Sequence, residues 1–515
     1  MMRARRPFLL GAVFSAALLG LDPAAGAAPP PAGYDAWVDL TAGTLRLRGQ
    51  EKPVRSENRC RLMQRALAPA LILGQQRLPW RVRIEGRALI RMADHKRYRK
   101  PEERICIAFF GGPDADGDGY PEDFAGEPTP RGTLHALQLA GRLHVSWDAD
   151  LRIDTTGQKV ESNFIQLGDT ARVGWLEAGR GGLSNLVSMP VMSGRLSVTL
   201  VGKADPGWPA GRIPDVRSTA PYGSPTSYVV WSEEGLLRAD FSGLVRFFSG
   251  NGRDRDDIGI LHRIYGWIQQ NGPIYVTRFA VGLYSVGNWV GATRGGMLER
   301  NSYNVVFGDP YDGAAMKPVA QCLKGGAFCA PVVNENAAHA LRDLTVEGSW
   351  YSNLLVFSGR RLLFDNVWFE YDKASKGHSV VLGAGLSERT KLPCGLDGDA
   401  PGEKCLAVPA APPVGARFVG GLIGGDKGSL QRDALVLGPG AGPGSTVFIQ
   451  GALRGSRVRT PLGSRRWLFV AHPKARAFMD LQAADPESAG KLPDYPYLAA
   501  PRSLEAKPRK AGSAP

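Results

Sequence analysis

Two glutamates end short segments in which apolar and polar residues alternate. The first segment is Leu344-Thr-Val-Glu347, and the second is Val367-Trp-Phe-Glu370. If both segments are strands, their apolar side chains face a core, and Glu347, Trp368 and Glu370 face outward. Adjacent strands lie about 4.8 Å apart. The two carboxylates would then be close enough for one of them to stay protonated near neutral pH.

This arrangement predicts acid–base chemistry on a sugar. Carboxyl groups about 5–5.5 Å apart suit retaining glycosidases, and an exposed tryptophan offers a flat apolar surface to a sugar ring. Lys373 follows closely in the sequence. We predict Glu347 and Glu370 as catalytic residues, and Trp368 and Lys373 as substrate-binding residues. The alternative is a pair of glutamates on a solvated face, neutralised by nearby lysines.

A second candidate site follows another apolar segment. Residues 307–312 read Phe-Gly-Asp-Pro-Tyr-Asp, which is similar to the Asp-Pro-His-Asp/Glu motif of mannuronan C5-epimerases, with Tyr311 in place of the histidine. The resemblance implies proton transfer at C5 of a uronate by Asp309 and Asp312, with Tyr311 at the substrate. Arg300 is suited to bind a uronate carboxylate. The alternative is a plain Asp-Pro turn.

Acidic residues at alternate positions form a candidate calcium loop. Asp114, Asp116 and Asp118 supply carboxylates, and Glu122 is placed to complete the coordination shell. Ala125 stands where an EF-hand has its bidentate glutamate, so we expect a single-loop calcium site with a structural role. The alternative is an acidic surface turn.

The placement of these candidates depends on repeated strands. One apolar strand recurs at 305–308, 355–358, 380–383 and 435–438. A second strand recurs at 343–347, 366–370 and 421–425. The two strands keep nearly the same steps over their last three copies. This regularity predicts a solenoid, whose turns must stack to bury their apolar sides.

These strands, glycine turns and short coils resemble the right-handed parallel β-helix of the pectin-lyase-like superfamily over residues 240–465. The resemblance implies carbohydrate chemistry by lyases, polygalacturonase-type hydrolases or uronan epimerases, and the superfamily also includes non-catalytic adhesins. Residues 34–206 also alternate apolar and polar residues, and a sandwich is the simplest packing for them. We therefore expect an all-β chain in which a right-handed parallel β-helix follows a β-rich, sandwich-like domain.

The ends of the chain and its charge indicate export. Residues 1–27 combine a positive head, a short apolar core and a small-residue cleavage pattern, which predicts a signal peptide. An uncleaved anchor is the alternative, and no later apolar run is long enough to span a bilayer. Residues 501–515 are expected to be disordered. Without residues 1–27 the net charge of +14 becomes +12, which biases the chain towards anionic partners. We find no nucleic-acid-binding motif.

An even number of cysteines in an exported chain predicts disulfides. Two close pairs lie inside Gly- or Pro-rich loops within the long repeat steps, and proximity in sequence is the only basis for pairing. The expected bonds are Cys322–Cys329, Cys394–Cys405 and Cys60–Cys106.

The sequence thus predicts a periplasmic or secreted protein that acts on an acidic polysaccharide as a lyase or glycoside hydrolase. Two alternatives stay open. One is a non-catalytic polysaccharide-binding or structural β-helix protein, such as an adhesin or an exopolysaccharide accessory. The other is a uronan C5-epimerase. The sequence does not indicate the polymer or the oligomeric state.

Overall fold

Because apolar and polar residues alternate along most of the described chain, it forms strands rather than helices. The computed structural model describes residues 29–72, 77–92, 105–109, 142–156, 162–167, 190–202, 211–214, 216, 227–233, 236–240, 245–250, 256–263, 267–286, 291–310, 339–371, 375, 377–390, 392–394, 404–408, 414–425, 433–441, 445–454, 456–460, 467–470 and 479–483. A helix, α1, spans Arg59–Leu71. The strands β1 to β29, in chain order, are Ala36–Asp39, Thr44–Leu47, Val54–Arg55, Trp80–Arg91, Ile105–Ala108, Leu143–Asp154, Ser162–Leu167, Val191–Val201, Ser227–Glu233, Leu236–Asp240, Val245–Ser249, Ile258–Arg263, Trp267–Thr277, Val281–Val286, Gly291–Glu299, Tyr303–Phe307, His339–Glu347, Ser352–Val356, Leu362–Asp365, Trp368–Tyr371, Val380–Leu382, Gly385–Ser387, Cys405–Ala407, Gly415–Gly425, Asp433–Leu437, Thr446–Arg454, Ser456–Thr460, Trp467–Val470 and Met479–Ala483.

The strands form two large sheets. Sheet I has 16 strands in the order β28-β26-β24-β19-β17-β15-β13-β10-β8-β6-β4-β1-β2-β3, with β11 and β20 beside this path. Sheet II has 11 strands in the order β29-β27-β25-β21-β18-β16-β14-β12-β9-β7-β5. The described pairs are parallel, apart from β1–β2, β2–β3 and the separate hairpin β22–β23. From β12 to β19 successive strands alternate between the two sheets, so the chain coils. These large parallel sheets are consistent with the expected parallel β-helix.

The sandwich-like N-terminal domain is not confirmed. Strands β4, β6 and β8 pair in parallel with one another, and β8 continues the same sheet into β10 and β11. The strands expected at 34–206 therefore belong to the sheets that continue beyond residue 240. Alternation of apolar and polar residues reports which side of a strand is buried, but it does not distinguish parallel from antiparallel neighbours.

The repeated strands are one residue out of the predicted register at three pairings. In sheet II, Val305 and Val380 both pair with Leu354 rather than with Leu355. In sheet I, Trp368 pairs with Leu422 rather than with Ile423. A slip of one residue exchanges the two faces of a strand. Leu355 accordingly packs in a cluster outside the coil, whereas Val305 packs in its interior.

Helix α1 covers the first strand of sheet II. Its N-cap is Asn58, whose side chain accepts a hydrogen bond from Arg61 N at 2.9 Å. The side chain of Gln64 accepts a hydrogen bond from Ala108 N and donates one to the carbonyl of Ala108. Cys60 forms a disulfide with Cys106. An uncovered edge strand would offer its backbone to other chains, so the helix protects this end of the coil.

A column of residues with left-handed backbone conformation runs across neighbouring strands of sheet I and divides the sheet into two halves. Asp343 and Asn366 both have φ of 52°, and they lie in register with Gly295 and Gly420, which have φ of 82° and 66°. Asp343 accepts hydrogen bonds from Asn366 Nδ2 at 3.0 Å and from Arg294 Nε at 2.9 Å. Strand β17 pairs with β19 before this position and with β20 after it. Glycine, asparagine and aspartate tolerate this conformation best, which explains the residue types in the column.

The outer side of sheet II is apolar and covered. Leu261, Tyr284 and Val306 pack there with Ile213, and Tyr303 Oη donates a hydrogen bond to the carbonyl of Gly211 at 2.8 Å. Sheet I instead presents charged side chains such as Arg294 and Asp343 to the outside, so a polar site is expected on its outward surface.

The remaining predictions about the chain ends and cysteines have different outcomes. The disulfides Cys60–Cys106 and Cys394–Cys405 are confirmed. Cys322 and Cys329 lie outside the described residues, as do the predicted signal peptide at 1–27 and the predicted disordered tail at 501–515. Among the described residues, no helix has the length and apolarity needed to cross a membrane.

Candidate functional site

Three glutamates stand in one row on the outward side of sheet I, beyond the left-handed residues. Parallel pairing places Glu299 beside Glu347, and Glu347 beside Glu370. We call these three residues the glutamate row. A second outward row lies two residues earlier on the same strands, and we call it the aromatic row: Tyr275, Met297, Thr345, Trp368 and Leu422.

Glu347 and Glu370 lie side by side on neighbouring strands, as the sequence predicted. Val346 and Phe369, the residues before them, are fully buried in the interior, and both glutamates are half-buried on the outside. Paired positions on neighbouring strands are about 4.8 Å apart. The two carboxyl groups therefore share one patch of surface.

Buried asparagines hold the strand ends that carry this pair. Asn304 Nδ2 donates hydrogen bonds to the carbonyl of Glu347 at 2.9 Å and to Asn353 Oδ1 at 2.8 Å. Asn353 Nδ2 donates to the carbonyl of Glu370 at 2.7 Å and to Ser379 Oγ at 3.2 Å. Hydrogen bonds between buried groups are costly to break. The backbone of both glutamates is therefore held in place from inside the coil.

Trp368 is an exposed aromatic residue in the same patch. It lies two residues before Glu370 on β20, and 48% of it is accessible to solvent. Among the described residues, Leu89 is the other large hydrophobic residue with comparable exposure. A flat apolar ring beside carboxyl groups is a suitable platform for a sugar ring.

Sequence reasoning missed Glu299 and its partner Tyr275. Glu299, on β15, is only 9% exposed. Tyr275, on the neighbouring sheet I strand β13, donates a hydrogen bond from its hydroxyl to Glu299 Oε1. Burial, together with this hydrogen bond, raises the pKa of Tyr275, so the phenol remains a donor. Arg300 Nε lies 3.9 Å from the same carboxylate, and its backbone N–H donates to the carbonyl of Glu347 at 3.2 Å. The first glutamate of the row is thus neutralised locally.

A signal for Glu299 was present in the sequence. Met297-Leu298-Glu299 has the same pattern as Thr345-Val346-Glu347 and Trp368-Phe369-Glu370, with an outward residue, a buried apolar residue and an outward glutamate. A long segment separates Glu299 from Glu347, so the short repeat spacing between Glu347 and Glu370 does not extend to this earlier copy.

The aromatic row continues into an arginine-rich end, also missed by sequence reasoning. Arg246 on β11 pairs with Tyr275, and Phe248 pairs with Thr277. Arg246 Cζ lies 5.5 Å from the ring centroid of Phe248 and 5.9 Å from that of Tyr275, and Arg278 Cζ lies 5.1 Å from the ring centroid of Phe248. These distances are typical of cation–π contacts.

The second predicted centre is separate from the glutamate row. Asp309 follows the sheet II strand β16 and is fully buried, whereas the glutamates lie on the outside of sheet I. Tyr311 and Asp312 lie outside the described residues. Arg300, predicted as a substrate ligand, has an exposed side chain beside Glu299. It therefore belongs to the glutamate row.

The remaining predicted ligands cannot be placed against this surface. Lys373 and the proposed calcium ligands Asp114, Asp116, Asp118 and Glu122 lie outside the described residues. Within the ranges given above, no group of three His, Cys, Asp or Glu residues is arranged to hold a metal ion.

Two histidines lie in the interior rather than on the outer face. The ring centroids of His262 and His339 are 5.6 Å apart. Burial lowers the pKa of His339 to about 3. Burial, with a smaller contribution from His339, also lowers the pKa of His262 well below its ordinary value. Both imidazoles are therefore neutral core side chains at neutral pH.

Comparison with known proteins found no matching family model, no matching curated protein and no matching solved structure.

Proposed function

We propose that the chain is an exported carbohydrate-active protein that acts on an acidic polysaccharide as a lyase or a glycoside hydrolase. Glu347 and Glu370 are its proposed catalytic pair. The observation that carries the proposal is their geometry, with two outward glutamates on neighbouring parallel strands beside the exposed ring of Trp368. Arg300 and Lys373 are proposed to bind substrate.

Hydrolysis and elimination can both use the protonated carboxyl group and the carboxylate that such a pair supplies. Two adjacent carboxyl groups disfavour joint ionisation, so one can hold a proton while the other is charged. In hydrolysis, the protonated group would donate to the glycosidic oxygen and the carboxylate would act as nucleophile. In elimination, the carboxylate would accept the proton from C5 of a uronate, and the C4–O bond would break as the C4–C5 double bond forms. The protonated group would donate its proton to the leaving oxygen. The exposed guanidinium of Arg300 is suited to stabilise the charge that develops on the substrate carboxylate.

A non-catalytic polysaccharide-binding or structural protein is the second candidate. The observation that favours it is the arginine-rich end of the aromatic row. Arginines beside aromatic rings can bind a polysaccharide without an acid–base pair. The epimerase alternative receives less support, because Asp309 is fully buried and a polymer would have to reach its carboxylate.

The proposal extends to location, fold family and cofactor. Two disulfides support an oxidising compartment, such as the periplasm or the exterior. Parallel strands joined by crossovers are almost always right-handed, which supports the right-handed helix of the pectin-lyase-like superfamily. A structural calcium ion at the loop 114–122 rests on its acidic spacing alone.

The test of this function is a panel of polymers. Purified protein is incubated with polygalacturonate, alginate, hyaluronan and neutral polysaccharides. Ultraviolet absorbance from an unsaturated product indicates a lyase, and new reducing ends without that absorbance indicate a hydrolase. If no polymer is cleaved but a uronate polymer is bound, the enzyme proposal fails and the binding protein takes its place.

A further inference from the structure

We propose that Arg246 and Arg278 form a binding site for the carboxylates of a uronate-containing polysaccharide, which lies across the strands towards Glu347 and Glu370. This inference rests on the proposed function, since it names the groups on the same outer face that recognise the charge of the polymer.

Among the described residues, no carboxylate forms an ion pair with Arg246 or Arg278. Both side chains are exposed. Arg294 and Arg195, two other exposed arginines of the sheet, are ion-paired, since Arg294 Nε lies 2.9 Å from Asp343 and Arg195 Nη2 lies 2.8 Å from Asp148. A pair of exposed cations favours an anionic ligand.

The aromatic rings hold these guanidinium groups in place. Arg246 lies against both Phe248 and Tyr275, and Arg278 lies against Phe248. A cation–π contact uses the face of a guanidinium and leaves its N–H donors available in the plane. Those donors match the geometry of a carboxylate, which they can bind in bidentate fashion. Less side-chain freedom is lost on binding when the donors are already positioned.

The site is continuous with the proposed catalytic patch. Along the aromatic row, Arg246 is followed by Tyr275, Met297, Thr345 and Trp368. Four steps of about 4.8 Å give about 19 Å between Arg246 and Trp368. A chain of several sugar residues would therefore contact both ends at once. Between them, Glu299 does not repel an anionic chain strongly, because Tyr275 and Arg300 engage its carboxylate.

The test is a binding measurement that does not require turnover. The variants Arg246→Gln and Arg278→Gln are made in a Glu347→Gln/Glu370→Gln background, and binding of polygalacturonate, alginate and hyaluronan is measured by titration calorimetry. Arg417→Gln is the matched control. It removes the same charge from an exposed arginine whose Cζ lies 5.1 Å from the Phe448 ring centroid, in the other half of sheet I. Carboxyl-reduced polygalacturonate is the neutral comparison, and circular dichroism checks the fold.

We expect each arginine variant to weaken binding of at least one uronate polymer by about tenfold or more. Arg417→Gln should bind as the background protein does, and the carboxyl-reduced polymer should bind weakly to all. A purely structural effect of the substitutions would weaken binding of the uronate polymer and of its carboxyl-reduced form alike.

Three results would overturn the inference: equal weakening in Arg417→Gln, equally tight binding of the carboxyl-reduced polymer, or no binding of any uronate polymer. Arginine-dependent binding without cleavage by the wild type would remove the enzyme proposal and leave this site standing. Cleavage by the wild type, together with binding that neither arginine variant weakens in the inactive background, would remove the site alone.

Discussion

Replacing Asn353 by alanine should destabilise the coil at the turns that carry the proposed catalytic pair. The amide of Asn353 makes four hydrogen bonds in the interior. Its Nδ2 donates to the carbonyl of Glu370 at 2.7 Å and to Ser379 Oγ at 3.2 Å. Its Oδ1 accepts from Asn304 Nδ2 at 2.8 Å and from Ser349 N at 3.3 Å.

The loss of stability depends on which hydrogen bonds the partners of Asn353 keep in the variant. A hydrogen bond contributes about 0.5–1.5 kcal/mol net, so four contribute about 2–6 kcal/mol. Three partners retain another bond: Asn304 to the carbonyl of Glu347, Ser379 to the carbonyl of Phe369, and the Glu370 carbonyl from Gly348 N. Only part of the cost is then realised, and we expect a loss of about 3 kcal/mol in the free energy of unfolding.

Urea denaturation followed by circular dichroism measures this loss as a lower midpoint. The control is Asn366→Gly, between β19 and β20 in sheet I, which removes one exposed hydrogen bond at a position whose left-handed backbone suits glycine. It should cost less than about 1 kcal/mol. If Asn353→Ala unfolds at the same urea concentration as Asn366→Gly, the asparagines do not hold these turns and the argument is refuted.

Three further predictions concern the interior, the N-terminal disulfide and the acidic loop. His339 has its pKa held at about 3 in the folded state, so the unfolded chain takes up a proton first as the pH falls below about 6.5. Stability should therefore fall from pH 6.5 towards pH 3 by up to about 1.4 kcal/mol per pH unit from this group. In urea titrations, His339→Leu should show a shallower fall than the wild type, and parallel curves would contradict the assignment. The double variant Cys60→Ala/Cys106→Ala opens a loop with a sequence separation of 46 residues. It should lose about 2–4 kcal/mol, and a melting temperature equal to that of the wild type would oppose this expectation. Chelation by EGTA should lower the melting temperature, and added calcium should restore it where magnesium does not. A melting curve that is insensitive to EGTA would remove calcium from the account.

The sequence allowed a correct prediction where the argument depended on one strand and its immediate neighbour. The outward positions of Glu347 and Glu370, and their adjacency, follow from alternation and from a single short step between them without an inserted loop. The disulfide Cys394–Cys405 followed from short separation in the sequence.

Prediction failed where similar residues occupied different positions in the coil. Val306-Phe307 and Val356-Phe357 look like the same part of a repeat, yet Phe307 pairs with Val356. Aligning Asn304 with Asn353 would have given the observed register, because these buried amides bond to each other. The bond from Tyr275 to Glu299 and the contacts of Arg246 were not predictable, since they depend on which distant strands stack.

The central claim is that Glu347 and Glu370 act as a pair on a uronate polymer. The most direct measurement is kcat/KM of Glu347→Gln and Glu370→Gln on the polymer that the wild type cleaves best. Glu388→Gln serves as the control, since Glu388 is exposed and ion-paired with Lys404 at 3.4 Å in a separate hairpin. We predict a loss of at least about 100-fold for each member of the pair, with folding unchanged by circular dichroism. Variants of Glu347 and Glu370 that are both as active as Glu388→Gln would contradict the account.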